Sequence, residues 1–198
     1  MTIKLFNKWD PAPVQVEDPG LKKYINLEAH YVPRMFGRHA NIRFGKTKSS
    51  IVERLMGKII VPGHKGKKHK FTSQHITGKG SHAYQVVLDV LTIIERDTKQ
   101  NPLQVFVKAV ENAAPREEIT TIEYGGARYP QAVECAPQRR IDIALRQMVQ
   151  GSYAKSFDSK KNFVSCLAEE IMKCAKMDQT SQAISKKLEL ERQADSSR

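Results

Sequence analysis

Phosphate neutralisation and base stacking are the two kinds of chemistry that this chain's residues are spaced to perform. Between His30 and His82 stand twelve lysines and arginines and one acid, Glu53. Four cations meet four acids before that stretch and seventeen meet sixteen after it, so nearly all of the formal net charge of +12 lies in one quarter of the chain. An ordinary solvated surface mixes its signs. A run of one sign predicts a polyanionic partner. Arg34, Arg38, Arg43, Lys46 and Lys48 carry the charge along an arm without an acid, and Lys65, Lys67, Lys68 and Lys70 carry it along a loop. The second group is Tyr124, Gly125, Gly126, Arg128 and Tyr129. Aromatic rings, a cation and bare backbone are what stacking on bases and close approach to phosphates require. Arg116, Arg139 and Arg140 flank that group.

Other constellations fall short of a reactive site. Gly45-Lys46-Thr47 ends like a phosphate-binding loop, but Ala40 stands where the first glycine belongs and no strand leads in. Gly78-Lys79-Gly80-Ser81-His82-Ala83 lacks the strand that a dinucleotide turn follows. His64, His69, His75 and His82 fit no common zinc spacing and stand among lysines that would repel a cation. Cys135, Cys166 and Cys174 are far apart, form no CxxC, and read as reduced, buried thiols. Glu117-Glu118 and Glu169-Glu170 are neighbours in sequence, which point different ways on a helix. No catalytic set, metal site or cofactor is expected.

The elements that must position these residues are mostly helices. A hairpin is expected at about 117–136: Ile119 to Tyr124 is rich in β-branched residues, Gly125-Gly126 supplies the turn, and the strand from Ala127 to Cys135 alternates. Pro130 cannot donate to a ladder, so it marks an edge. A lone two-stranded ribbon is marginal in water, so either a helix covers it or it reaches for a partner. Ser50-Ile51-Val52-Glu53 has the capping-box form and opens a first helix that Pro62-Gly63 ends. A second runs from Ser81 to about Lys99, and Asn101-Pro102 starts a third that Pro115 stops. Ile141, Ala144, Leu145 and Met148 mark a fourth, bent at Gly151, and Phe163, Leu167, Ile171 and Cys174 a fifth. The last, Ser181 to about Ala194, has only Ile184 and Leu188 at helical spacing, and reads as half-ordered or packed against a partner. The fold class is therefore mainly α: a helical bundle of about six helices with a protruding two-stranded β-hairpin and an N-terminal extension. Residues 1–45 read as that extension, with a short strand near Ile3–Phe6, a helical turn near Leu21–Ile25 and the basic arm; residues 46–198 read as the helical domain. No run of about 18 apolar residues and no secretory signal is present, so no membrane partner is expected.

Taken in order, the motifs resemble one family. They are I-K-L-F-N-K-W at Ile3 to Trp9, D-P-G-L-K-K-Y-I-N-L at Asp18 to Leu27, I-V-E-R-L at Ile51 to Leu55 and N-P-L-Q-V-F-V at Asn101 to Val107. The most specific are A-P-R-E-E at Ala114 to Glu118, Y-G-G-A-R-Y-P-Q-A-V at Tyr124 to Val133 and A-P-Q-R-R at Ala136 to Arg140, followed by K-K-L-E-L-E-R at Lys186 to Arg192. The chain resembles the small-subunit ribosomal protein seven family in its archaeal and eukaryotic form. The resemblance implies a structural, non-enzymatic protein of the cytoplasmic ribosome. It would bind the multi-helix junction of the small-subunit rRNA head, nucleate head assembly and contact neighbouring head and platform proteins. Its ribbon would lie at the mRNA exit channel beside the exit-site tRNA. That role carries over to Tyr124, Gly125, Gly126, Arg128 and Tyr129, and rRNA contact to Arg38, Arg43, Lys46, Lys48, Arg139, Arg140 and Arg146. Glu123 stands where many relatives carry a basic residue, and the loop from Gly66 to Gly80 is longer and more polar than usual. The alternative from the residues alone is an architectural DNA-binding protein using the ribbon as a groove-reading arm. Such proteins are normally dimers, and no clear dimer seam is visible.

Overall fold

The computed structural model describes residues 3–30, 32–34, 37–65, 68–69, 71–73 and 76–198, with 64, 65, 68 and 69 described by their backbone alone. Over those residues the protein is mainly helical, with seven α-helices and two antiparallel two-stranded ribbons. In chain order they are α1 (Pro19–Lys22), α2 (Ile51–Ile59), β1 (His64–Lys65), β2 (Lys68–His69), α3 (Gly80–Thr98), α4 (Pro102–Ala113), β3 (Glu117–Tyr124), β4 (Ala127–Glu134), α5 (Pro137–Ser156), α6 (Phe163–Ala175) and α7 (Gln182–Asp195). A 3₁₀ turn at Gly45–Lys48 leads into α2.

Amphipathic spacing accounts for the core. Leu55 and Ile59 of α2, Val87, Leu91 and Ile94 of α3, Phe106 and Val110 of α4, Ile141, Leu145 and Met148 of α5, and Leu167 and Ile171 of α6 are all fully buried in one cluster. Each such side chain contributes on the order of 1.5–3 kcal/mol on leaving water. Asn101 caps α4 as its type predicts, accepting from the Leu103 N–H at 3.0 Å, with Pro102 at the first helical position. The capping box at Ser50 does not form: its hydroxyl makes no cap hydrogen bond. The Ile51 N–H donates instead to the Asn26 carbonyl at 2.9 Å, and the Asn26 side-chain amide donates to the Lys48 carbonyl at 2.8 Å. A strap from far along the chain thus takes the place of the local cap. Helix α5 continues through Gly151 without interruption.

The segment before α2 is stitched to the helices. Where a strand is expected near Ile3–Phe6 there is a tight turn closed by a single Leu5–Trp9 bridge. Phe6 packs edge-on to Trp9, with centroids 5.9 Å apart, and against Tyr84 of α3 at 4.9 Å. Gln104 of α4 clasps Gln15, accepting from its N–H at 2.9 Å and donating to its carbonyl at 3.1 Å. Leu5, Trp9, Leu21 and Ile25 join the common core. The basic loop after α2 carries the short β1–β2 pairing and is anchored where Ile76 enters the core and the Phe71 ring packs, tilted, against Phe157 with centroids 4.9 Å apart.

In the long ribbon Glu117 pairs with Glu134 and Tyr124 with Ala127, so the register closes on Gly125-Gly126. Both glycines have positive φ, 57° and 81°, which is what the favoured hairpin turn needs and what only glycine adopts without strain. The alternation in β4 produces no buried face: side chains are part-buried only near the base and exposed from Thr120 to Gln131. The base leans on α7, and the rest projects into solvent. Pro130 faces Thr121 on this exposed part, where both strands are edges.

Candidate nucleic-acid interface

A cationic cluster forms where α2 meets α5, around one acid. Asp142 pairs with Lys46 at 3.2 Å, Arg54 at 3.3 Å and Lys58 at 3.8 Å. Helix α2 brings Arg54 and Lys58 to one side because they are four residues apart, the 3₁₀ turn delivers Lys46, and α5 supplies both Asp142 and Arg146. Burial would push the Asp142 carboxyl up, but Lys58, Arg54 and Lys46 outweigh it and hold it below its ordinary value. Burial also pushes Lys58 down; Asp142 opposes this, while Arg146, Lys46 and Arg54 add to it. Four cations around one carboxylate leave a local excess of positive charge.

Beside this cluster lies a cleft of about 220 Å³ lined by Gly57, Lys58, Val61, Arg146, Val149 and Gln150. Gly57 is an exposed helix-interior residue, a placement that costs about 1 kcal/mol against Ala, and a Cβ there would meet nothing within 4 Å. Packing therefore does not require the glycine. It leaves backbone bare in a cationic cleft.

The other expected residues are distributed as follows. Arg34, Arg38, Arg43 and Lys48 are exposed, with the Arg43 guanidinium 5.2 Å over the Phe44 ring and that of Arg34 lying against Gly80. Lys65 and Lys68 face each other in β1–β2 by backbone pairing, and Lys67 and Lys70 lie outside the described residues. Arg116, Arg139 and Arg140 sit at the ribbon base. Arg139 makes a two-pronged pair with Glu118, at 2.5 and 2.6 Å. Arg140 reaches Asp18 at 2.8 Å and the Pro115 carbonyl at 3.1 Å. The Arg116 side chain is exposed, while its N–H donates to Glu191. At the tip Tyr124 is 82% exposed and Tyr129 58%. Arg128 pairs with its cross-strand partner Glu123 at 3.4 Å, so the acid at that position is matched within the ribbon.

Sequence reasoning joined Lys46 and Arg146 only as members of a cationic set. It missed Arg54, Lys58, Gly57 and Asp142, although the i, i+4 spacing of Arg54 and Lys58 on an amphipathic helix was a usable signal. The cysteines are not poised as nucleophiles. All three cysteines are free and buried. Burial, with the charge of Glu118, pushes the Cys135 thiol up to about 11, and burial pushes Cys174 up to about 12, so both stay protonated at neutral pH. Among the described residues no group of three or more His, Cys, Asp and Glu could hold a metal ion; His75 lies outside them, and His64 and His69 are described by backbone only. No helix of the described residues is long and apolar enough to cross a membrane.

Residues 21–198 match the family described as Ribosomal protein S7p/S5e. Over 198 residues, all of both chains, the sequence is 54% identical to Small ribosomal subunit protein uS7 of Nanoarchaeum equitans. It is 47% identical to the protein of that name from Methanosphaera stadtmanae, over 98% of each chain. It is 45% identical to the one from Archaeoglobus fulgidus, over 99% of this chain and 95% of the relative. With α2 to α7 and the long ribbon inside the matched span, the chain belongs to the Ribosomal protein S7p/S5e family.

Proposed function

We propose that this protein is a structural constituent of the small ribosomal subunit, with a binding and not a catalytic role. It binds the rRNA of the subunit head, nucleates assembly there beside neighbouring head and platform proteins, and holds its ribbon at the mRNA exit channel next to the exit-site tRNA. One observation carries the reading: the family match over residues 21–198 includes both the cationic α2–α5 cleft and the exposed ribbon. Phosphate contacts from Arg34, Arg38, Arg43, Lys46, Lys48, Lys58, Arg146 and the 65–70 loop supply affinity, and RNA shape supplies selectivity. The tip residues Tyr124, Gly125, Gly126, Arg128 and Tyr129 act as a stacking and steric guide. An rRNA strand reaching the ribbon base meets exposed Arg116 directly, but must compete with Glu118 and Asp18 for Arg139 and Arg140. In this proposal residues 1–45 are an N-terminal extension with a basic arm, and 46–198 the rRNA-binding domain. The boundary is one of function, since packing through Leu5, Trp9 and Leu21 crosses it.

Replacing Lys58 and Arg146 by Ala tests the cleft. Binding to the head-domain junction of small-subunit rRNA should weaken, and the slope of log affinity against log salt should flatten by up to about two units. A slope equal to the parent's would take the cleft out of the interface.

A further inference from the structure

A ribbon that projects into solvent has no direction of its own; whatever grips its base sets where the tip lies. Four polar contacts grip it, one of them from Arg140 of α5 to the Pro115 carbonyl at 3.1 Å. From α5, Arg139 holds Glu118 through two hydrogen bonds. From α7, Glu191 accepts the Arg116 N–H at 3.0 Å, just before β3 begins. From three residues past α7, Arg198 pairs with Glu117, the first residue of β3. Two of the four come from the C-terminal helix region.

Helix α7 is an unusual support because it has little apolar face of its own. Only Ala183, Ile184 and Ala194 are buried along it, and Leu188 is 39% exposed. Polar pins do the rest. At its start Glu170 of α6, fully buried, accepts from the Ser181 hydroxyl at 2.8 Å and the Ala183 N–H at 3.2 Å, and pairs with Lys155 of α5 at 2.6 Å. That carboxylate caps the helix where its dipole favours negative charge. In its middle Lys187 donates to the Asn112 carbonyl of α4 at 2.8 Å. The helix is thus tied to α4, α5 and α6 at one end and to the ribbon base at the other.

We propose that α7 is a brace that aims the ribbon, with Glu191 and Arg198 as positioning residues and Glu170 as the pin that holds the brace to the bundle. The proposal concerns the free protein and rests on the ribosomal reading only for what the aimed tip then meets. Neither Glu191 nor Arg198 is needed for the core, so variants at these positions keep the fold.

The test is a set of residual dipolar couplings on the ¹⁵N-labelled full chain without RNA, so that its outcome is independent of the rRNA assay above. In the parent protein, amides of Thr120–Gln131 and of α3–α5 should fit one alignment tensor. In E191A/R198A the helical couplings should stay and the ribbon couplings should shrink by roughly half, the mark of a ribbon swinging on its base. In E191Q/R198K, which keeps an acceptor for the Arg116 N–H and a cation for Glu117, the ribbon should return to the common tensor. A ribbon that stays on the body's tensor in E191A/R198A, or one already averaged in the parent, overturns the proposal.

Discussion

At the scale of the residue, Asp142 organises the positive surface by being its counter-ion. It is separated from Lys46 by 96 positions, yet it holds Lys46, Arg54 and Lys58 within 4 Å. Arg54 is 5% exposed at its side chain, so a lone charge there would be costly to bury without its partner. Asp142→Asn should therefore lower stability by about 2 kcal/mol at neutral pH. Asp142 and Asp18 both have carboxyls held below their ordinary values, against the upward push of burial, by their cationic partners. Such depressed acids stabilise the fold fully above the unfolded-state value of about 4. The contribution is lost as pH falls through the folded-state value. Urea unfolding of parent and Asp142→Asn should show a gap that is constant from neutral pH down to about 5 and closes in stronger acid. A gap that persists unchanged in acid would mean that the ionised carboxylate is not what stabilises the cluster.

At the scale of the element, the ribbon and the bundle are separable. Side chains from Thr120 to Gln131 are exposed, so truncating the tip removes little buried surface. Deleting Tyr124–Tyr129 and closing the strands with a short turn should shift the melting temperature by no more than a few degrees. It should leave rRNA affinity nearly intact while disturbing mRNA or exit-site tRNA placement in reconstituted subunits. Collapse of rRNA affinity would make the tip an anchor and not a guide. Elements of this kind were legible because their signals are local: Asn101-Pro102 starts α4, and Gly125-Gly126 turns the ribbon with positive φ at both positions. The capping box at Ser50 misled for the opposite reason. Its N-terminus is served by Asn26, a partner that no short window contains. Helix α7 was hard to read because two apolar residues at helical spacing give a weak periodicity, while its real supports, Glu170 and Asn112, lie on other helices.

At the scale of the whole molecule, the charge distribution was plain in the sequence and its arrangement was not. The excess between His30 and His82 announced a polyanion. Only folding showed that part of it gathers with Arg146 around Asp142, and that Arg139 and Arg140 engage Glu118 and Asp18, the latter across 122 positions. The first 30 residues, without periodicity, gave no sign that Leu5, Phe6 and Trp9 would enter the core. Their order comes from Tyr84 and Gln104, which are distant in sequence. In the proposed function this surface recognises structured rRNA and not negative charge alone. The most direct measurement is a salt titration of binding to the head-domain junction of small-subunit rRNA and to duplex DNA of equal length. A preference for the rRNA of about 10³ or more is expected at physiological salt, beyond what counterion release supplies to both. Equal affinities with the same steep slope would contradict it and leave only a basic surface.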